Sequence, residues 1–335
     1  MTLAESLDLL VRLRVALAVG MIVSLVVVFV VTPRAIRKLR GAGIVGRDMH
    51  KPGRPEVPEM GGLAVFLAFN VGAFATLAFA NISAESQRLV LAGLVVAAGA
   101  CITGILDDLI ALRQRFKAVI PFAFAAPLAL FVSDWSVWFP VLGDVDVALA
   151  YPLLLVPVAV ACASNSFNML EGFNGLGAGL GILMAGALSA MAILSGNLTG
   201  LALLFPLLGA LVGFLWFNFY PARVFPGDTM TLMVGAVIAI AGLLSKLEFW
   251  VGLLFVPHVL EFFWKALHGF PRWGVGELRE DGRLYCPESG PNGLVQASLK
   301  VLGGASESRL FVFMIGGYAA YAAGVFLAFA YVQQM

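Results

Sequence analysis

Adjacent carboxylates next to an apolar run are the first sign of chemistry in this chain. Asp107 and Asp108 are followed within ten residues by Arg113, Arg115 and Lys117. Neighbouring carboxylates repel, so a metal ion or another cation is expected beside them. A solvated helix terminus with basic anchors is the plainer alternative. A second group runs from Asn165 through Asn168, Glu171, Gly172 and Asn174 to Gly177. Its asparagines offer carbonyls to a cation and amide donors to a base or sugar, and its glycines allow close backbone approach. A third group, Phe225-Pro226-Gly227-Asp228-Thr229, offers a metal carboxylate beside an aromatic surface for a base. Asp228-Thr229 would equally well cap a helix. Glu59, in Pro58-Glu59-Met60-Gly61-Gly62, is placed to accept from ribose hydroxyls or to start a helix. The polar segment 268–309 is too long for an idle connection. Asp281-Gly282 reads as a hairpin turn, and Arg272 as a phosphate partner.

Magnesium commonly takes one or two carboxylates plus substrate phosphates. Phosphoryl transfer needs positioning and charge neutralisation more than covalent protein chemistry. These residue types together suggest a nucleotide-activated donor.

The elements that must position these groups are membrane helices. Of the 335 residues, 61% are hydrophobic and 12% charged, far from the balance of a soluble domain. That excludes a soluble enzyme, a disordered protein and a disulfide scaffold. A net charge of +1 gives no field for nucleic acid. The three cysteines have no zinc or redox spacing. Ten stretches are apolar and long enough to span, or nearly so: 15–32, 61–80, 89–106, 118–133, 148–164, 176–195, 199–217, 228–245, 248–267 and 310–331. The expectation is an all-α polytopic protein, one integral-membrane domain over 1–335, with 268–309 as a substrate-binding loop holding a small hairpin. Of 21 lysines and arginines, only Arg12, Arg14, Arg88 and Lys246 lie at the even-to-odd connections or before the first span. The positive-inside rule then places both termini outside. It puts the connections 33–60, 107–117, 165–175, 218–227 and 268–309, with all the candidate residues but Asp228, which opens the eighth span, in the cytoplasm. Pro257 at mid-span predicts a kink, and the Trp-rich stretch 134–140 reads as an interfacial belt. A membrane location makes a lipid the natural acceptor.

In this order and company the motifs resemble the polyprenyl-phosphate N-acetylhexosamine-1-phosphate transferase family. Within it, the chain is most similar to the archaeal and eukaryotic dolichyl-phosphate GlcNAc-1-phosphate transferases that start N-glycan assembly. The matching stretches are Pro58–Gly62, Asp107-Asp108, Asn165–Gly175 and Phe225–Thr229. The resemblance implies ten spans and transfer of GlcNAc-1-phosphate from UDP-GlcNAc to a polyprenyl phosphate, releasing UMP. It implies Asn168 and Asp228 as ligands of Mg2+, with Mn2+ as an alternative. Asp107 and Asp108 match the paired aspartates near the lipid phosphate, and Lys117 the lysine that neutralises the diphosphate. Gly172, Asn174 and Phe225 match the uridine site, with Asn165 grouped among the substrate-binding residues. Glu59 matches the acid near the nucleoside, and Arg272 the arginine of the last loop. Two departures stand out. Glu171 stands where bacterial relatives usually have Asp and eukaryotic ones a small residue. The last loop also lacks the His-rich bacterial motif, which counts against phospho-MurNAc-pentapeptide as substrate. The expected setting is a prokaryotic plasma membrane, an archaeal one by preference, with membrane lipids around the chain and room for a homodimer. Another UDP-hexosamine, undecaprenyl phosphate as acceptor, or a nucleotide-sugar or lipid-linked-sugar transporter are the alternatives.

Overall fold

The computed structural model describes residues 3–269 and 275–334. The chain begins with α1 (Leu3–Gly41), a short antiparallel pair β1 (Val45–Arg47) and β2 (Glu56–Pro58), then α2 (Gly62–Phe79) and α3 (Ala84–Ile110). Two short helices follow, α4 (Gln114–Phe124) and α5 (Ala126–Phe131), and a ribbon of β3 (Ser136–Phe139) and β4 (Gly143–Asp146). A π-helical turn, Tyr151–Leu155, leads into α6 (Val156–Leu170). Then come α7 (Leu176–Ser195), α8 (Leu201–Asn218), α9 (Gly227–Leu244) and α10 (Glu248–Leu267). The last elements are β5 (Glu277–Leu278), antiparallel to β6 (Leu284–Tyr285), α11 (Leu294–Leu302) and α12 (Glu307–Val332).

Among the described residues nine helices are long and apolar enough to cross a membrane. The protein is therefore an integral, polytopic membrane protein. The fourth expected span differs. It breaks at Ala125 into α4 and α5, and Pro121 and Pro127 fall in the broken stretch. Proline lacks the N–H that an uninterrupted helix needs. The broken segment still runs the length of α3: Lys117 meets Asp107 near its C-terminus, and Ser133 donates to Glu85 in its first turn at 3.1 Å.

The centre of the bundle is α9, every residue of which from Thr229 to Leu244 is buried. It packs against α3, α6 and α2. Lipid offers no hydrophobic drive for helix pairing, so close approach by small residues does the work. Gly104 of α3 shows this: a Cβ there would lie 2.4 Å from the Asp228 carbonyl oxygen and the Thr229 nitrogen.

Pro257 sits inside α10, which continues as one helix to Leu267. Its missing N–H leaves the Leu253 carbonyl without a helical partner. The Tyr321 hydroxyl of α12 donates to that oxygen at 2.6 Å. At the end remote from the carboxylates, Trp138 of the β3–β4 ribbon stacks on Trp250, and Lys246 pairs with Asp134 at 3.0 Å.

Candidate active site

The C-termini of α1, α3, α6, α8 and α10 and the N-termini of α2, α4, α7, α9 and α12 share one end of the bundle. A cavity of about 1010 Å3 opens there, lined by Glu59, Lys117, Asn165, Asn168, Glu171, Gly172, Asn174, Phe225 and Asp228. Five connecting segments thus meet in one place. Several of the candidate groups lie on helix rather than loop. Asp107 and Asp108 belong to the last turn of α3, and Asn165 and Asn168 to the last turns of α6. The apolar runs end sooner than the helices because a helix end needs no further apolar side chains once it leaves hydrocarbon.

The paired aspartates face different partners. Asp107 accepts from the Leu112 N–H at 2.8 Å and from Lys117 Nζ at 2.9 Å. Lys117, 7% exposed, also makes a close ion pair with Asp228. Its ammonium therefore bridges α3 and α9. Asp108 turns the other way. Its Oδ1 accepts the Asp228 N–H at 2.8 Å, and its Oδ2 accepts the Thr229 N–H at 3.1 Å and the Thr229 hydroxyl at 2.6 Å. The expected cap by Asp228-Thr229 on their own helix is absent, and α9 has no cap from its own side chains. Asp108 supplies it from α3, satisfying orphan N–H groups and the positive helix end. Gly227, at φ +68°, leaves room for that carboxylate; a Cβ would come within 2.5 Å of Asp108 Oδ2.

Asn168 Nδ2 donates to the Thr231 hydroxyl at 2.6 Å, one α9 turn beyond Gly227. That contact directs Asn168 Oδ1 away from Thr231. Glu171 is partly exposed, yet its Oε2 is sealed from solvent without a hydrogen-bond partner. Burial, with the charge of Asp228, pushes its carboxyl up to about 8. The oxygens gathered here are the Asp228 carboxylate, which also pairs with Lys117, the Asn168 carbonyl and the unpartnered Glu171 Oε2. An all-oxygen set of this kind fits a hard divalent cation.

Glu59, Phe225, Gly172, Asn174 and Asn165 line the same cavity. Phe225 is pinned by its N–H to Pro58 O (2.8 Å) and by its carbonyl to the Gly61 N–H (2.8 Å). Gly46 of β1 lies between Glu59 and Phe225, 3.3 Å from each in Cβ terms. Burial raises the Glu59 carboxyl, with Asp108 adding to the shift. Gly172 lies under Val275, whose methyl would be 2.8 Å from a Cβ at 172. Asn165 donates back to Ala161 O at 2.8 Å and lines the wall beside Cys162. Arg272 and Trp273 lie outside the described residues.

Residues 90–246 match the pattern of glycosyl transferase family 4. A protein of Saccharolobus solfataricus is 32% identical over 310 residues, covering 92% of this chain and 95% of its own length. The chain belongs to glycosyl transferase family 4. That relative carries the provisional name UDP-N-acetylglucosamine–dolichyl-phosphate N-acetylglucosaminephosphotransferase. A Dictyostelium discoideum protein with the same name, not provisional, is 28% identical over 82% of this chain and 78% of its own. A Bacillus subtilis protein, provisionally named an undecaprenyl-phosphate N-acetylglucosaminyl 1-phosphate transferase, is 30% identical over 69% of this chain and 63% of its own.

For this family 4 chain, the aligned stretch holds the Asp107, Asn168 and Asp228 groups but not Glu59 or 268–309. Four residues at the site carry no signal in the sequence. Asp48 sits in a basic run between Arg47 and Lys51. Thr231 reads as one more residue of an apolar helix. Glu307 opens the last span, and Lys265 ends the ninth. In the fold Asp48 and Glu307 both reach Asn174, and Lys265 donates to the Met169 carbonyl. No spacing rule links residues 126 or 133 positions apart.

Proposed function

We propose that this protein transfers GlcNAc-1-phosphate from UDP-GlcNAc to a polyprenyl phosphate of the dolichyl kind, giving GlcNAc-diphospho-polyprenol and UMP. The observation that carries the reading is the Lys117 ammonium held between Asp107 and Asp228, in a cavity whose other wall is apolar. Ala161, Cys162, Val259, Phe262 and Phe263 form that wall. It suits a polyprenyl chain leading its phosphate to the charged end. The names of the relatives agree with this donor and acceptor. The chain would work in a prokaryotic plasma membrane, an archaeal one by preference, with ten crossings if α4–α5 counts as one. The lysine and arginine bias puts the cavity end in the cytoplasm.

An oxygen of the lipid phosphate attacks the β-phosphorus of the donor. The bond from that phosphorus to the bridging oxygen breaks, and UMP leaves. The acceptor is already an anion at neutral pH, so no side chain has to remove a proton. Lys117 would stabilise the charge spreading over the equatorial oxygens, as Arg272 would from the last loop. Asp107 orients Lys117. Asn168 and Asp228 would hold Mg2+ or Mn2+, with Thr231 fixing Asn168, and the bound ion would neutralise the diphosphate. Phe225, Gly172, Asn174 and Glu59 would take the nucleoside, and Asn165 the approach to it.

The test is UMP release by purified protein from UDP-GlcNAc, with and without polyprenyl phosphate and Mg2+. Release is expected only with both. Competition among UDP-hexosamines, and between dolichyl and undecaprenyl phosphate, separates the related readings. Uptake of nucleotide sugar into proteoliposomes without UMP release would replace the transferase with a transporter.

A further inference from the structure

Asn174 is held in one orientation by a residue from the β1–β2 connection. It is 4% exposed and lines the cavity. Its backbone N–H donates to Glu307 Oε1 at 2.9 Å, and the next N–H, of Gly175, donates to Asn218 Oδ1 at 3.0 Å. Its side-chain Nδ2 donates to Asp48 Oδ2 at 3.2 Å. Asp48 is itself 2% exposed, and the same oxygen pairs with Lys51. The His50 N–H donates to the other oxygen at 3.2 Å. A carboxylate paired with an ammonium accepts hydrogen bonds and has none to give. The amide of Asn174 must therefore turn its NH2 to Asp48 and its Oδ1 away. No donor to that Oδ1 is found among the described residues. Asp48, His50 and Glu307 also bring three metal-ligating atoms within 4.8 Å of one another. Two members of this cluster, Asp48 and Glu307, bond Asn174, and Lys51 pairs with Asp48.

We propose that Asp48 is a positioning residue for base selection: by locking Asn174 with its carbonyl oxygen outward, it makes the cavity prefer a uridine over a cytidine nucleotide. The inference rests on the reading that Asn174 faces the base. Uracil presents a ring N–H at position 3, which an outward carbonyl accepts. Cytosine presents a lone pair there, and two acceptors repel. A site built to bond a donor group rejects an analogue lacking it far more strongly than apolar contacts do. An asparagine at position 48 could either donate or accept. Asn174 could then turn over without losing its partner and offer its NH2 to cytosine.

The experiment measures binding of UDP, CDP and 3-methyl-UDP to the full-length protein in detergent with Mg2+. The wild type is expected to favour UDP over both others by about 100-fold, the scale for leaving a buried acceptor without its donor. Asp48→Asn should bring UDP and CDP to within about tenfold of each other. Asp48→Glu, still acceptor-only, should keep the wild-type ratio even where overall affinity falls. An unchanged ratio in Asp48→Asn overturns the proposal. So does equal binding of UDP and 3-methyl-UDP by the wild type, a result that needs no variant to fold. A wild type that binds no uridine nucleotide overturns the donor reading, and this inference with it.

Discussion

The carboxylate of Asp108 caps the helix that carries Asp228, accepting the Asp228 N–H at 2.8 Å. Its neighbour Asp107 accepts from Lys117 at 2.9 Å instead. Two adjacent, identical side chains thus do different work, one holding a helix start in place and the other an ammonium.

That division predicts different phenotypes. Asp108→Ala should lower both thermal stability and UMP release, since loss of a cap costs about 0.5–2 kcal/mol. The stranded N–H groups of Asp228 and Thr229 add to that loss. Asp107→Ala should leave the melting temperature nearly intact while turnover drops. Melting curves in detergent beside initial rates decide it; a wild-type melt for Asp108→Ala would contradict the assignment.

Lys117 bridges two carboxylates in a space with 7% exposure. Lys117→Met should reduce turnover by about 10²-fold or more, the scale for removing one preorganised charge partner. Lys117→Arg should not restore it, because a planar fork does not fit where a point charge sits. Near-normal turnover in either variant would move the transition-state charge elsewhere.

Thr231 offers a way to test the metal assignment without touching a ligand. Thr231→Val removes the hydroxyl that holds Asn168 Nδ2 at 2.6 Å and keeps the shape. The Mg2+ concentration for half-maximal rate should rise by about 10-fold or more, the usual effect of losing an orienting partner. Asp228→Ala and Asn168→Ala should abolish turnover at any Mg2+ concentration. An unshifted Mg2+ curve in Thr231→Val would mean that Asn168 is not a ligand.

Glu171 links pH to stability. Its carboxyl rises from 4.5 to about 8 on folding, chiefly through burial. The folded state then binds more protons than the unfolded state between those values. Stability should therefore fall as pH climbs from about 4.5 to about 8, and level off above. In EDTA, the wild type should melt at lower temperature at about pH 8.5 than at about pH 5.5. Glu171→Gln should be flatter across that window, and equal slopes for the two proteins would rule Glu171 out as the source.

Much of the architecture is legible in the residues alone. Apolar runs of span length, and lysines and arginines crowded at alternate connections, mark the helices and the end at which the chemistry gathers. The broken fourth helix is not legible as a break, because Pro121 and Pro127 sit in a stretch whose hydropathy stays high. Asp107, Asn168, Lys117 and Asp228 stand out because polar groups beside a span are expensive and so carry information. Asp48, Thr231 and Glu307 do not, because their types are ordinary where they stand.

The chain's own order of residues determined the membrane class, the apolar stretches of nine spanning helices among the described residues, and which side chains are chemically able to act. Those properties follow from local hydropathy and residue type, which each segment carries with it. Only the tertiary structure decided which carboxylate caps α9 and which holds Lys117 against Asp228, that Asn168 leans on Thr231, and that Asp48 turns Asn174. Each of these depends on where two segments 63 to 126 residues apart meet. That meeting is set by close helix contact at small residues such as Gly104, a three-dimensional fit that no local pattern encodes.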